Sequence, residues 1–261
     1  TIKIMSGVLT PDSGTCVING RVPWKERTAH GQEIGVVFGQ RSQLWWDVPV
    51  ADSFGLLRDI YRVDGAAYRK TLSRLTELLE LGELLRTPAR QLSLGQRMRC
   101  EIAAALLHEP KILFLDEPTI GLDAVSKAAV RGFIRTCNKE RGTTVILTTH
   151  DMQDIEALAE RILLIGRGRI LLDGTLDELK RRRPAQRRLT VAYGGGALPV
   201  VEGLTPLRDA DGHAELLLDT DLLSVSEAVA RISAQTEVKD LSVSGESIEE
   251  LVVSLYREYR I

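Results

Sequence analysis

Gln40, the adjacent acids Asp116 and Glu117, and His150 each stand just past a short apolar or β-branched run: IGVVF, KILFL and TTVILTT. A carboxylate pair, an amide and an imidazole gathered at one sheet edge can hold a metal, orient a water and touch a charged ligand. A fifth group lies in LSLGQRMRCEIAAALLHEP, where Ser93 and Gln96 are three apart ahead of an apolar periodicity. That spacing suits a capping box. The same helix N-terminus, preceded by Ser and Gly, also suits a phosphate, because unpaired N–H groups and the helix dipole favour an anion. The residues alone leave both readings open.

These groups need elements to bring them together. The runs from Ile34, Lys111 and Thr143 are nearly continuous in apolar or β-branched residues, as expected for parallel strands buried on both faces. In such a sheet, ligands bind beyond the carboxyl ends of the strands. Helical patterns lie between the strands: Leu72, Leu75 and Leu79; Met98, Ile102 and Leu106; Val130, Phe133, Ile134 and Cys137. The sum is an α/β domain. Residues 47–90 are mostly helical and too long for a simple crossover, which predicts a helical subdomain over about 47–110.

Other segments punctuate this core. Asn19-Gly20 in TCVINGRVPW predicts an antiparallel ribbon. RILLIGRGRILLDG reads as a final strand and a hairpin, its lone GRG being turn chemistry. After Pro184, a Gly-rich stretch, the alternating runs LTVAY, AELLLD and LSVS, and amphipathic helices near 225–232 and 248–255 predict a small α+β domain. The expected division is 1–183 and 184–261. The opening TIKIM reads as the end of a helix, stopped by Gly7 and Pro11, that continues from something N-terminal to Thr1.

Composition sets the outer bounds. The chain has 261 residues, 44% of them apolar, enough for a substantial core, and a net charge of −2 that gives no argument for nucleic acid. No apolar run approaches the roughly 18 residues of a membrane span. Cys16, Cys100 and Cys137 are odd in number and lack metal-ligand spacing, which favours reduced thiols in a cytosolic protein.

The order of motifs is specific: LSLGQ, then ILFLDEP, then IGLD, then a strand ending TTH. Over residues 1–180 the chain resembles the nucleotide-binding subunits of ATP-binding-cassette (ABC) transporters. VVFGQRSQLWWDVPVADSF and LSLGQRMRCEIAAALLHEPKILFLDEPTIGLD look closest to the ABC-2 drug and viologen exporter type. LSLGQ matches the signature motif LSGGQ, with Leu94 in place of a glycine. ILFLDE matches the Walker B strand, Gly121-Leu122-Asp123 the D-loop, His150 the switch histidine and Gln40 the Q-loop. The fold implied is a P-loop NTPase-type parallel sheet with an antiparallel β ribbon, a helical subdomain and the C-terminal α+β domain.

The resemblance implies ATP and Mg²⁺, with two subunits closing head to tail around each nucleotide. Asp116 would help hold the metal, largely through water, Gln40 would coordinate the metal or the attacking water at the nucleotide, Glu117 would act as general base or water-orienting residue, and His150 would meet the γ-phosphate. Ser93, Leu94, Gly95 and Gln96 would serve the partner's nucleotide, Ser93 opening a helix that faces away from the Glu117 cluster, and Asp123 would join the two sites. One of Trp45 and Trp46 is expected in the core, and the other along the groove for a membrane subunit's coupling helix. The run 180–188 reads as a solvated helix end and linker.

The family's lysine-bearing phosphate loop has no counterpart here, since no Gly-Lys pair occurs in the chain. The expectation is therefore an inactive fragment of a longer ATPase. The implied function is the ATP-binding subunit of a membrane exporter, cytoplasmic and peripheral on the inner face of the cell membrane, paired with ABC-2 permease subunits and not with nucleic acid. The alternatives are a soluble cassette ATPase acting on DNA or ribosomes, and a non-catalytic regulatory partner. An intact Glu117 argues against the last.

Overall fold

The computed structural model describes residues 1–39, 41–181, 186–196, 198, 200–245, 252 and 256. Two compact units divide the chain, Thr1–Leu158 and Ala159–Ile261.

In the first unit, a short helix α1 (Ile2–Met5) and α2 (Arg27–Gly31) precede β1 (Ile34–Phe38). The helical insertion follows as α3 (Val50–Tyr61), α4 (Gly65–Leu78) and two single 3₁₀ turns, leading into α5 (Leu94–Leu106). Asp64 starts α4 by accepting the N–H groups of Ala66 and Ala67. Then come β2 (Ile112–Asp116), α6 (Ala124–Arg141), β3 (Thr144–Thr148) and α7 (Met152–Leu158).

The three strands are parallel, in the order β1-β2-β3, with Phe38, Asp116 and Thr148 in register. That alignment brings three strand ends to one edge of the sheet. Successive residues of β2 face opposite sides. Ile112 and Phe114 pack with Ile2, Ile34 and Ile146, whereas Leu113 and Leu115 pack with residues of α5 and α6, including Ile102, Leu106, Val130 and Phe133. Both faces are therefore covered, and full burial of each large side chain contributes about 1.5–3 kcal/mol. Phe54 of α3 and Leu75 of α4 are fully buried in the same core as α5, which ties the helical insertion to the sheet.

The ribbon expected at Asn19-Gly20 is reduced to its turn. Ile18 and Arg21 exchange both backbone hydrogen bonds (2.8 and 2.9 Å), with φ of 49° and 78° at the two turn residues. A two-stranded hairpin alone is marginal in water, and here side chains do the anchoring: Arg21 Nη1 lies 2.7 Å from Glu33 Oε1. The expectation that one tryptophan is core is corrected. Trp45 and Trp46 are 42% and 51% exposed, because Leu44, Val50 and Phe54 fill the apolar space beside them.

The second unit begins with the antiparallel pair β4 (Ile162–Gly166) and β5 (Arg169–Gly174), joined through Arg167-Gly168 at φ 47° and 73°. Positive φ at both turn positions gives the tight turn of a two-residue hairpin. Helix α8 (Leu176–Arg181) buries Leu179 against Leu172. A four-stranded antiparallel sheet follows: β6 (Gln186–Gly196), β7 (Leu204–Ala210), β8 (His213–Asp219) and β9 (Thr236–Gly245), in the order β7-β8-β6-β9. Helix α9 (Val225–Gln235) packs Ala228 and Ile232 against Leu189, Val191, Leu216 and Leu218. The helix expected at 248–255 falls, apart from Val252, outside the described residues, as does the middle of the basic run, 182–185. Among the described residues no helix is long and apolar enough to cross a membrane.

Candidate functional site

The aligned strand ends place Asp116 as the last residue of β2, Glu117 immediately beyond it, and His150 two residues past β3. The Glu117 N–H donates to the Thr148 carbonyl at 3.0 Å, locking the two strand ends together. His150 Nδ1 lies 2.9 Å from Glu117 Oε2, with the imidazole largely in solvent and the carboxylate about one-third exposed. Asp116 accepts a hydrogen bond from the Thr148 hydroxyl at 2.6 Å. On the other side, the Gly39 N–H donates to the Asp116 carbonyl at 2.8 Å. A Cβ on Gly39 would lie 2.5 Å from the Glu117 carbonyl oxygen, so only glycine permits this approach. Gln40 follows directly but lies outside the described residues.

Glu117, Asp116 and His150 thus form one edge cluster with an oriented carboxylate, a second carboxylate beside it and an accessible imidazole. The arrangement can align a water through Glu117 and offer a donor to an anion through His150. The donor set suits Mg²⁺, a hard cation usually bound by one or two carboxylates together with substrate phosphates and water. Among the described residues no group of three or more His, Cys, Asp and Glu side chains could enclose a metal unaided.

The LSLGQ residues form a second cluster. Both bonds of the capping box are made: the Gln96 N–H donates to Ser93 Oγ at 3.2 Å, and the Ser93 N–H donates to Gln96 Oε1 at 2.9 Å. Gly95 packs so closely on α6 that an added Cβ would sit 2.9 Å from Ser126 Cβ. Asp123 caps α6, accepting from the Ser126 N–H at 2.9 Å and from its hydroxyl at 2.8 Å. Those bonds hold its carboxyl below the usual carboxylate range. A Cβ on Gly121 would fall 3.1 Å from Leu94 Cδ2, which places the loop before α6 beside the start of α5. The start of α5 therefore lies against the start of α6, with Gly95 buried between them and Ser93 and Leu94 exposed. Among the described residues no hydrogen bond or ion pair links Ser93 to Glu117.

Two buried carboxylates had no sequence-level signal. Glu101 of α5 is 4% exposed and accepts from the Ser42 hydroxyl and from the Gln43 N–H at 3.1 Å. Burial pushes its carboxyl upward. It fastens the segment after Gln40 to α5, the helix that Ser93 caps, beside a groove of about 130 Å³ that includes Gly39, Trp46 and Leu94. Arg97 lies over the Trp46 ring, 5.6 Å from its centre. The other carboxylate, Asp154, is fully buried in the first turn of α7. Both contacts join residues far apart in sequence, so local periodicity could not have found them.

Comparisons with known proteins bear on the family. The family model described as "ABC transporter" matches residues 1–120. The daunorubicin resistance ATP-binding protein DrrA3 of Streptomyces coeruleorubidus is 31% identical over 260 residues, spanning 97% of this chain and 82% of that protein. The linearmycin resistance ATP-binding protein LnrL of Bacillus subtilis is 27% identical over 254 residues, covering 96% and 81%. Among solved structures, the ATP-binding cassette MJ0796, described as a dimeric post-hydrolysis state bound to ADP and Pi, superposes with a TM-score of 0.59 at 27% identity, over 67% of this chain and 78% of that one.

Proposed function

Because the chain belongs to the ATP-binding subunits of ABC transporters, we propose that it drives export of a small molecule by hydrolysing ATP in a head-to-tail dimer coupled to ABC-2 permease subunits, at the cytoplasmic face of the membrane. The family is one of ATPases, and the resistance proteins among the relatives support export as the direction. In this reading residues 1–183 form the ATPase domain and 184–261 an accessory domain. The boundary follows the Leu172–Leu179 core and precedes the sheet that contains Leu189.

The observation that carries the reading is the Glu117–His150 contact of 2.9 Å at the aligned ends of β2 and β3. Glu117 holds the attacking water, and its carboxylate is the proton acceptor or orienter. His150, exposed beside it, donates toward the terminal phosphate. Asp116, with Gln40, would hold Mg²⁺, which when bound neutralises phosphate charge. Ser93, Leu94, Gly95 and Gln96 turn the start of α5, with its dipole, toward the partner's nucleotide, and Asp123 caps α6, which lies against that start.

Size-exclusion chromatography with ATP and Mg²⁺ tests this in a protein that carries a phosphate loop upstream of Thr1. Glu117→Gln keeps the side-chain shape but removes the carboxylate, so hydrolysis falls by about two orders of magnitude or more while nucleotide still binds and a stable dimer accumulates. Adding Ser93→Arg places bulk and charge on the partner-facing surface and returns the protein to monomers. Hydrolysis by Glu117→Gln at the unmodified rate would reject Glu117 as the catalytic carboxylate.

A further inference from the structure

Asp154 contacts neither Glu117 nor His150 directly, but it joins the loops that carry them. Its Oδ2 accepts from the Thr119 hydroxyl and, at 3.1 Å, from the Thr149 hydroxyl. Thr119 is two residues beyond Glu117, and Thr149 is the residue before His150. Its Oδ1 accepts from Arg131 Nε at 2.5 Å, from the middle of α6. The Thr149 hydroxyl also accepts the Asp151 N–H at 3.0 Å, which fixes the turn that contains His150. A parallel tie runs outside this one: Lys127 Nζ lies 2.5 Å from Asp151 Oδ2, holding that carboxyl below its usual range. Both cations belong to α6, which Asp123 caps.

We propose that Asp154 is a positioning residue whose buried carboxylate clamps the loops after β2 and β3 to each other and to α6, so that Glu117 and His150 stay in register for hydrolysis. A buried charge is costly unless paired, and an apolar residue would fill the same space more cheaply. A carboxylate does what no apolar residue can. It accepts three bonds at once from three separate segments, and charge-assisted bonds are short and directional. Register matters because displacing a reacting group by about 1 Å can cost about a hundredfold in rate. The catalytic part of this inference rests on the reading of Glu117 and His150 given above.

Hydrogen exchange on the 261-residue chain tests the clamp without any activity, using Asp154→Asn and Thr119→Val. The amides to follow are Glu117, Ile120 and Leu122 in one loop and Asp151 in the other, all hydrogen-bonded. Exchange should rise about tenfold in both loops together. A rise confined to one loop, or absent from both, overturns the clamp. If Asp154→Asn fails to fold, Thr119→Val decides, since it leaves the pair with Arg131 intact. In the ATP-hydrolysing protein, Thr119→Val should lower kcat about tenfold with KM for ATP within about twofold. Coupled loop opening with unchanged kcat would overturn the positioning role. Full hydrolysis by Glu117→Gln would instead reject the reading of Glu117, leaving the exchange result to judge the clamp.

Discussion

At the scale of single residues, the site depends on how closely backbone can approach backbone. Gly39 is the clearest instance, because the carbonyl of Glu117 occupies the space where any side chain would begin. Gly39→Ala should destabilise the first unit by about 1–3 kcal/mol, read as a lower urea midpoint, since neither β1 nor β2 can shift without breaking the ladder between them. Activity should fall further than stability alone explains, because the atom that must move belongs to Glu117. The placement of Asp116, Glu117 and His150 was legible in the sequence because each stands at or just past the end of an apolar strand, and strand ends gather at one edge. Glu101 and Asp154 were not legible. A lone acid in a helix pattern reads as solvated, and only the partners contributed by residues 42, 43, 119, 131 and 149 show otherwise.

At the scale of elements, β1, β2 and β3 lie where the apolar runs are, but the expected burial on both faces holds for the central strand β2 and not for the edge strand β3, none of whose residues is fully buried. Helices α4, α5 and α6 likewise follow their periodicities. The ribbon was overread: Asn19-Gly20 encodes a turn, but the length of a ladder depends on neighbours that local sequence does not specify. What holds that turn is Glu33, whose carboxyl is drawn down from 4.5 to about 2 by Arg21 first and Lys111 second. A carboxylate with a depressed folded-state pKa stabilises above its unfolded pKa, and the contribution disappears as pH falls from about 4.5 to about 2. Urea titrations at successive pH values should show Glu33→Gln less stable than the unmodified chain at neutral pH. The two should converge toward the acid end of that range. The gap should be modest, since the side chain is partly exposed and solvent screens it.

At the scale of the whole molecule, the two units have separate cores and the cysteines are distributed unevenly. Cys100 and Cys137 are buried in the first unit's core, and burial pushes the Cys100 thiol up to about 12, whereas Cys16 is partly exposed. None of the three is disulfide-bonded. An aromatic disulfide reagent at about pH 8 should therefore modify one thiol promptly, Cys16, and the other two only as the first unit opens globally. Rapid loss of all three thiols in native buffer would contradict the packing of α5 and α6 on β2. Labelling rates measured with and without urea provide the comparison.

Glu117 has φ of 55°, a left-handed backbone that glycine and asparagine adopt with less strain than glutamate does. If Glu117 is the catalytic carboxylate proposed above, the position is under two opposed pressures, one from folding and one from chemistry. In a lineage released from the need to hydrolyse nucleotide, nothing would retain glutamate there, and replacement by glycine or asparagine would be favoured by folding alone. Loss of the carboxylate would then be a downhill path, one that leaves a sturdier descendant unable to return without giving up stability. Glu80 and Glu109 share that backbone angle, at 52° and 51°, so the angle alone does not single out Glu117; a substitution that gains stability at Glu117 while ending hydrolysis would.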